Sequence, residues 1–294
     1  MTFTALLTKE LRSRLRRERS IWLIIGYLCV LSLLGLVFLV RANAFSGGSR
    51  VYLLSQTGAQ LYALLSFVQL ALIVFISPAF TSTSVNGEKE RQTFDLLLCS
   101  KLSALSLLTG KLIAGLANVL LLIAASIPVF SLVFFFGGVS PSQVLAMLLI
   151  CVMTAIVAGI FGLFCSTIFP RPNVSTAIAY GFCVLWMFAY WVVYYLISSG
   201  TPTGNPRAIG WVQVLNAWNP IAALNSILNG AQSNSATFTV FRLHLAPWLA
   251  FTLISLVVAV ILFLLSSAFV KPDLPGRFLA RLRPRGKGLK PSAA

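Results

Sequence analysis

Three of the chain's six carboxylates, Glu88, Glu90 and Asp95, fall within one eight-residue stretch, interleaved with Lys89 and Arg91. Paired carboxylates can share general acid and base work when their surroundings push their proton affinities apart. Here every acid has a base close by in sequence, a pattern of solvated ion pairs better suited to gripping a charged partner than to moving protons. The one histidine, His244, has no Cys, Asp or Glu beside it, so neither imidazole catalysis nor a metal site is indicated. Cys29, Cys99, Cys151, Cys165 and Cys183 are scattered without ligand or disulfide spacing and read as small apolar packing residues. The pairs Gly110-Lys111 and Gly286-Lys287 lack the upstream glycine and the following Ser or Thr of a phosphate-binding loop. The chain therefore carries no nucleotide-hydrolysis motif of that kind, and no cofactor is expected.

The acids belong to a charged island, residues 86–111, reading NGEKERQTFDLLLCSKLSALSLLTGK. Asn86 is suited to an N-cap, with Glu88 and Glu90 in the first turn, where the helix dipole favours negative charge. Phe94, Leu97 and Leu98 follow at helical spacing and form one apolar stripe, leaving Arg91, Gln92 and Asp95 on other faces. From these residues alone, the island is either a solvated helical loop or a docking element for a soluble partner.

The elements around it are set by composition. Apolar residues make up 58% of the chain, charged residues 10%, and mean hydropathy is +0.92. Soluble domains hold about 25% charged residues, so this is an integral membrane protein. The expected class is an all-α membrane protein of six transmembrane helices, at about residues 21–40, 61–80, 111–136, 144–169, 174–197 and 247–270. No cleavage site follows the first apolar run, so that span should remain in the mature chain. Residues 1–20 place Phe3, Leu6, Leu7, Leu11 and Leu15 at helical spacing among six bases, as an amphipathic helix lying in a headgroup layer would.

Within the spans, Pro128 should kink the third, and Ala155/Gly159 and Ala158/Gly162 in the fourth are small-residue pairs that permit close helix approach. The fifth ends in Trp186, Tyr190, Trp191, Tyr194 and Tyr195, rings that favour a water interface. Residues 198–246 are too polar to span and too apolar in their second half to be a free loop; one or two helices divided by Pro220 should tuck against the outer ends of the spans. Residues 271–294 form a basic tail.

Eighteen of the 22 basic residues fall on the side that carries both termini and the island, and only Arg41, Arg50, Arg207 and Arg242 on the other. The Lys/Arg bias makes the first side cytoplasmic. Most of the +16 net charge then faces anionic lipid headgroups rather than nucleic acid. No acid or base sits in the interior of any of the six spans, which removes the usual ion-coupling group of a secondary carrier, and Gln69, Asn118 and Thr154 line a channel only thinly.

At this point the sequence resembles the membrane subunits of ABC-2 type ATP-binding-cassette transporters. Their signature Glu-x-Glu-Arg-x-Thr run, leucine cluster, Ser-containing turn and Gly-Lys opening of the third span fall here on Glu88, Glu90, Arg91, Thr93, residues 96–98, Ser103, Gly110 and Lys111. The chain departs from that pattern at Gln92, where Gly is frequent, and at Lys101-Leu102, where a Pro is frequent. The resemblance covers the whole chain and implies a permease subunit of an exporter in the plasma (inner) membrane. It implies a separate ATP-binding-cassette ATPase subunit as partner and a second permease chain, identical or not. The island would be the coupling helix, with Glu88, Lys89, Glu90, Arg91, Thr93, Phe94 and Asp95 at the ATPase contact, and the outer helices would form a gate. The other function considered is a membrane scaffold or sensor that docks a non-ATPase protein.

Overall fold

The computed structural model describes residues 18–43, 50–90, 104–200, 217–228, 238–240 and 243–270. Six long helices form its body: α1 (Glu18–Asn43), α2 (Arg50–Thr81), α4 (Ala104–Phe136), α5 (Pro141–Ile168), α6 (Pro172–Gly200) and α8 (Pro247–Val270). Two short helices, α3 (Asn86–Glu90) and α7 (Pro220–Leu228), lie between them. Each long helix contains an apolar window able to cross a bilayer, so the chain is a multi-pass, all-α membrane protein. Its outward surface is apolar, with Trp22, Phe135, Leu145 and Leu185 each more than 60% exposed, as a lipid-facing wall requires. Residues 1–17 of the expected basic helix, island residues 91–103 and the tail 271–294 lie outside the described residues.

Helix α2 begins at Arg50, eleven residues before the apolar run at Leu61, in a stretch whose glycines and serines read as loop. Its added turns are held by backbone contact. Gly137 and Gly138, at the α4–α5 turn, take φ of 76° and 82°, a region closed to most side chains. A Cβ on Gly138 would strike the Ser55 carbonyl, and one on Gly58 would strike the Gly137 carbonyl. Immediately after that turn, Ser140 and Gln143 form a reciprocal capping box and Pro141 opens α5. Helix α4 runs through Pro128 without interruption.

Helices α2 and α5 both run toward the island and pack side by side. Tyr62 Oη donates to the Gln143 carbonyl at 2.9 Å, and Ser77 Oγ to the Ala155 carbonyl at 2.7 Å. The partners are 81 and 78 positions apart, a nearly constant offset that identifies a parallel pair in register. On α2 the inward stripe is Tyr62, Ser66, Gln69, Ile73, Ser77 and Thr81, spaced by threes and fours and none more than 2% exposed. That spacing keeps one face on the neighbour along the whole bilayer depth. Gly162 and Gly159 on α5 let the backbones close. A Cβ on Gly162 would collide with Thr81 Oγ1, and one on Gly159 would come within 2.8 Å of Leu116 on α4. The small-residue pairs thus do what their spacing suggests. Helix α5 is the most enclosed span, 56% of its apolar window being buried, while α1 at 17% leans mainly on α2 and α4.

At the end away from the island, α7 inserts among α2, α5 and α8 with Pro220, Ala223, Leu224 and Ile227 buried. Asn219 holds its start, with Oδ1 accepting from the Ile221 amide at 2.8 Å and Nδ2 donating to the Met187 carbonyl at 2.9 Å. Trp186 was expected among interfacial rings but points inward, 4% exposed. It stacks with Phe182 and Phe251 and donates from Nε1 to the Trp218 carbonyl at 2.7 Å. Trp191 and Tyr195 remain exposed, as interfacial rings should. Among the described residues of the outer segment, β1 (Phe238–Val240) and β2 (Leu243–Leu245) pair antiparallel, with Thr239 opposite His244. Their alternating apolar and polar residues, with β-branched Thr and Val, suit a strand better than a helix.

Candidate functional site

The island leaves the bundle through a turn, Ser82 to Val85, that three other spans hold in place. Helix α2 closes with the Ser82 amide donating to the Pro78 carbonyl, and the Ser84 amide and hydroxyl both donate to the Thr81 carbonyl. From α4, Lys111 Nζ donates to the Ser84 carbonyl at 2.7 Å. From α6, Ser175 Oγ donates to the Ser82 carbonyl at 2.8 Å, and Thr176 Oγ1 shares a 3.2 Å hydrogen bond with Ser82 Oγ. From α5, Ser166 Oγ accepts from both the Val85 amide, at 3.0 Å, and the Asn86 amide, at 3.1 Å. Four spans therefore meet at the root of α3.

Local chemistry explains each contact. The end of a helix gathers carbonyls with no intrahelical donor and a partial negative charge, so a lysine beside the turn that closes α2 is well placed. Lys111 is only 2% exposed, and a buried ammonium at the edge of a bilayer must be tied to oxygens. The start of a helix presents free N–H groups, and Ser166 supplies the missing acceptor from another span. This corrects the expectation that Asn86 is the N-cap. Asn86 is the first residue of α3, wholly buried, and its carboxamide has no hydrogen-bond partner among the described residues. Its side chain turns into the bundle, and the cap comes from α5 instead.

Of the residues singled out in the sequence, Glu88, Lys89 and Glu90 fall on α3, with Glu90 exposed. Arg91, Thr93, Phe94 and Asp95, with the stripe completed by Leu97 and Leu98, lie outside the described residues. Lys111 belongs to the root. Sequence reasoning passed over Ser82, Ser84, Ser166, Ser175 and Thr176. The available signal was a Ser/Thr cluster at the same end of three spans, TSTS at 81–84, CST at 165–167 and ST at 175–176.

Thr154 Oγ1 donates to the Ile150 carbonyl of its own helix, and Gln69 is sealed at 0% exposure inside the α2–α5 seam. Cys151, Cys165 and Cys183 are free and buried. What the arrangement can do is mechanical. A load applied to α3 reaches α2 through the chain, and α4, α5 and α6 through hydrogen bonds that average roughly 0.6 kcal/mol each within membranes.

No curated protein matches this sequence. Residues 41–268 match the family model described as ABC-2 family transporter protein, a range that takes in four of the six spans whole, nearly all of the sixth, and the whole island with its root. Six spans, a charged segment rooted between the second and third, and a match over more than three quarters of the length place the chain in the ABC-2 family of transporter membrane proteins.

Proposed function

We propose that the chain is the permease subunit of an ATP-driven exporter, and that α3 with the residues following it is the element through which a separate ATP-binding-cassette ATPase does work on the spans. The observation that carries this reading is the root of the island. Ser166, Ser175, Thr176 and Lys111 fasten it to three spans besides its own. A loop that merely connects α2 to α4 has no need of such fastening. Glu88, Glu90, Arg91 and Asp95 make the charged contact to the ATPase, with Lys89 and Thr93 beside them, while Phe94, Leu97 and Leu98 pack the helix against the spans. The bias of basic residues toward the island and both termini supports a cytoplasmic position for them in the plasma (inner) membrane. Two permease chains, identical or not, pack with the substrate path between them. The sparsely buried α1 supports this, since it leaves apolar surface for lipid or a second chain.

The complex is tested by purifying the tagged chain under conditions that preserve membrane assemblies. An ATPase subunit is expected to copurify, and the pair Glu88→Ala with Glu90→Ala is expected to leave the complex assembled while ATP hydrolysis no longer drives transport. Recovery of a stable complex with a non-ATPase partner alone would instead support a docking scaffold.

A further inference from the structure

Deep in the bilayer, polar side chains from four spans gather around one point. Gln69 on α2 lies twelve residues before Thr81, about 18 Å at the helical rise of 1.5 Å per residue, well inside a core roughly 30 Å thick. Its carboxamide lies close to the Cys151 thiol of α5. The Tyr27 hydroxyl of α1 lies close to Ser126 on α4, that of Tyr62 to Ser66 one turn further along α2, and both tyrosines are near Cys151. These approaches are too long to close. The Tyr27 hydroxyl, the Ser66 hydroxyl and both ends of the Gln69 carboxamide hydrogen-bond to none of the described residues, and none of the three residues is more than 4% exposed. No bulk water reaches that depth, so each unpaired group is costly.

The balance of donors and acceptors identifies the occupant. Tyr27, Ser66 and the Gln69 amide nitrogen offer protons, while the Gln69 carbonyl needs one. Ser126 has spent its proton on the Ile123 carbonyl, and Tyr62 on that of Gln143, so their oxygens can only accept. The donors would repel a cation, and an anion would find no positive charge to offset its desolvation. A neutral molecule that both donates and accepts, and fits between closed helices, is water.

The position of Tyr27 shows what such water would hold. Among the described positions of α1, only Tyr27, Leu31 and Gly35 are buried, one narrow stripe in which Tyr27 is the polar member. We infer that bound water bridges Tyr27 and Ser126 to Ser66, Gln69 and Cys151, and that this bridge is the polar tie between α1 and the α2–α5 pair. The site stands apart from the island and does not depend on what α3 docks.

The test is X-ray radiolysis of the full-length chain in lipid nanodiscs, which splits bound water into hydroxyl radicals that oxidise the side chains beside it. Cys183 is the control, as deeply buried as Cys151 but packed among Val74, Ala158 and Met187. Cys151 is expected to oxidise several-fold faster than Cys183, read by mass spectrometry of the peptides. Gln69→Leu, which puts an apolar group of similar size in place of the carboxamide, should bring Cys151 down to the rate of Cys183. Tyr27→Phe keeps the ring and removes only the hydroxyl, so it serves if the leucine disturbs folding. It should slow Cys151 as well and speed amide exchange along α1. Equal rates at the two cysteines in the unaltered chain, or a Cys151 rate unchanged in both variants, would overturn the proposal. So would a high-resolution structure in which Gln69 and Tyr27 bond directly with no water between them.

Discussion

A single hydroxyl oxygen, Ser166 Oγ, accepts hydrogen bonds from two successive backbone amides of another segment, so its removal leaves two donors stranded at a buried site. Unpaired buried groups cost about 1–3 kcal/mol each to leave unsatisfied. Ser166→Ala is therefore expected to lower the melting temperature in detergent and to speed amide exchange at residues 85–87 while leaving the far end of the bundle unchanged. The two kinds of helical glycine separate in the same way. Gly162→Val should cost about 1–3 kcal/mol through overpacking against Thr81 and Ser82. Gly181→Ala meets nothing within 4 Å and should stabilise by up to about 1 kcal/mol, both read from denaturation midpoints. Gly162 was legible because its spacing from Ala158 matches a known close-packing pattern. Ser166 was not, because a hydroxyl near a span end has many local uses and only the fold shows which one it serves.

At the scale of elements, the α2–α5 pair is the spine of the domain, and α3 rides on its end. If α3 moves with α5 as one body, a disulfide between Val85→Cys and Ser166→Cys should leave ATP hydrolysis and transport by the assembled complex unchanged relative to the reduced form. Loss of activity on oxidation, restored by reductant, would show that the island must part from α5 in each cycle. The far end is built on another principle. Trp186, Trp218 and Phe251 clasp α7, and Asn219 ties its start to α6, so any motion of this outer helix must carry α6 and α8 with it. The six spans were legible because each needs about twenty apolar residues and the chain supplies them in separate runs. The early start of α2 was not. Residues 50–60 look like loop by composition, and a turn of two left-handed glycines 80 positions later is what holds them helical. The inward turn of Trp186 was hidden for a similar reason, since a ring at the end of a span suits an interface equally well until a partner helix is known to lie over it.

For the whole molecule, the apolar exterior and six long apolar helices describe a multi-pass membrane protein of the ABC-2 transporter family. The membrane class was legible from composition and the family resemblance from the Glu-x-Glu-Arg-x-Thr run. The fastening at its root lies in Ser166, Ser175 and Thr176 on two other spans and in Lys111 on a third, residues far apart in the sequence. The most direct test places a photo-cross-linking residue at position 90, an exposed site on α3, in the chain expressed in its native membrane. Illumination is expected to capture an ATP-binding-cassette ATPase subunit in one discrete adduct that is lost when the same group is moved to the lipid-facing position 135. Adducts with lipid alone, with a non-ATPase protein, or with reagents confined to the outer side of the membrane would contradict the assignment of the island as the site where work enters.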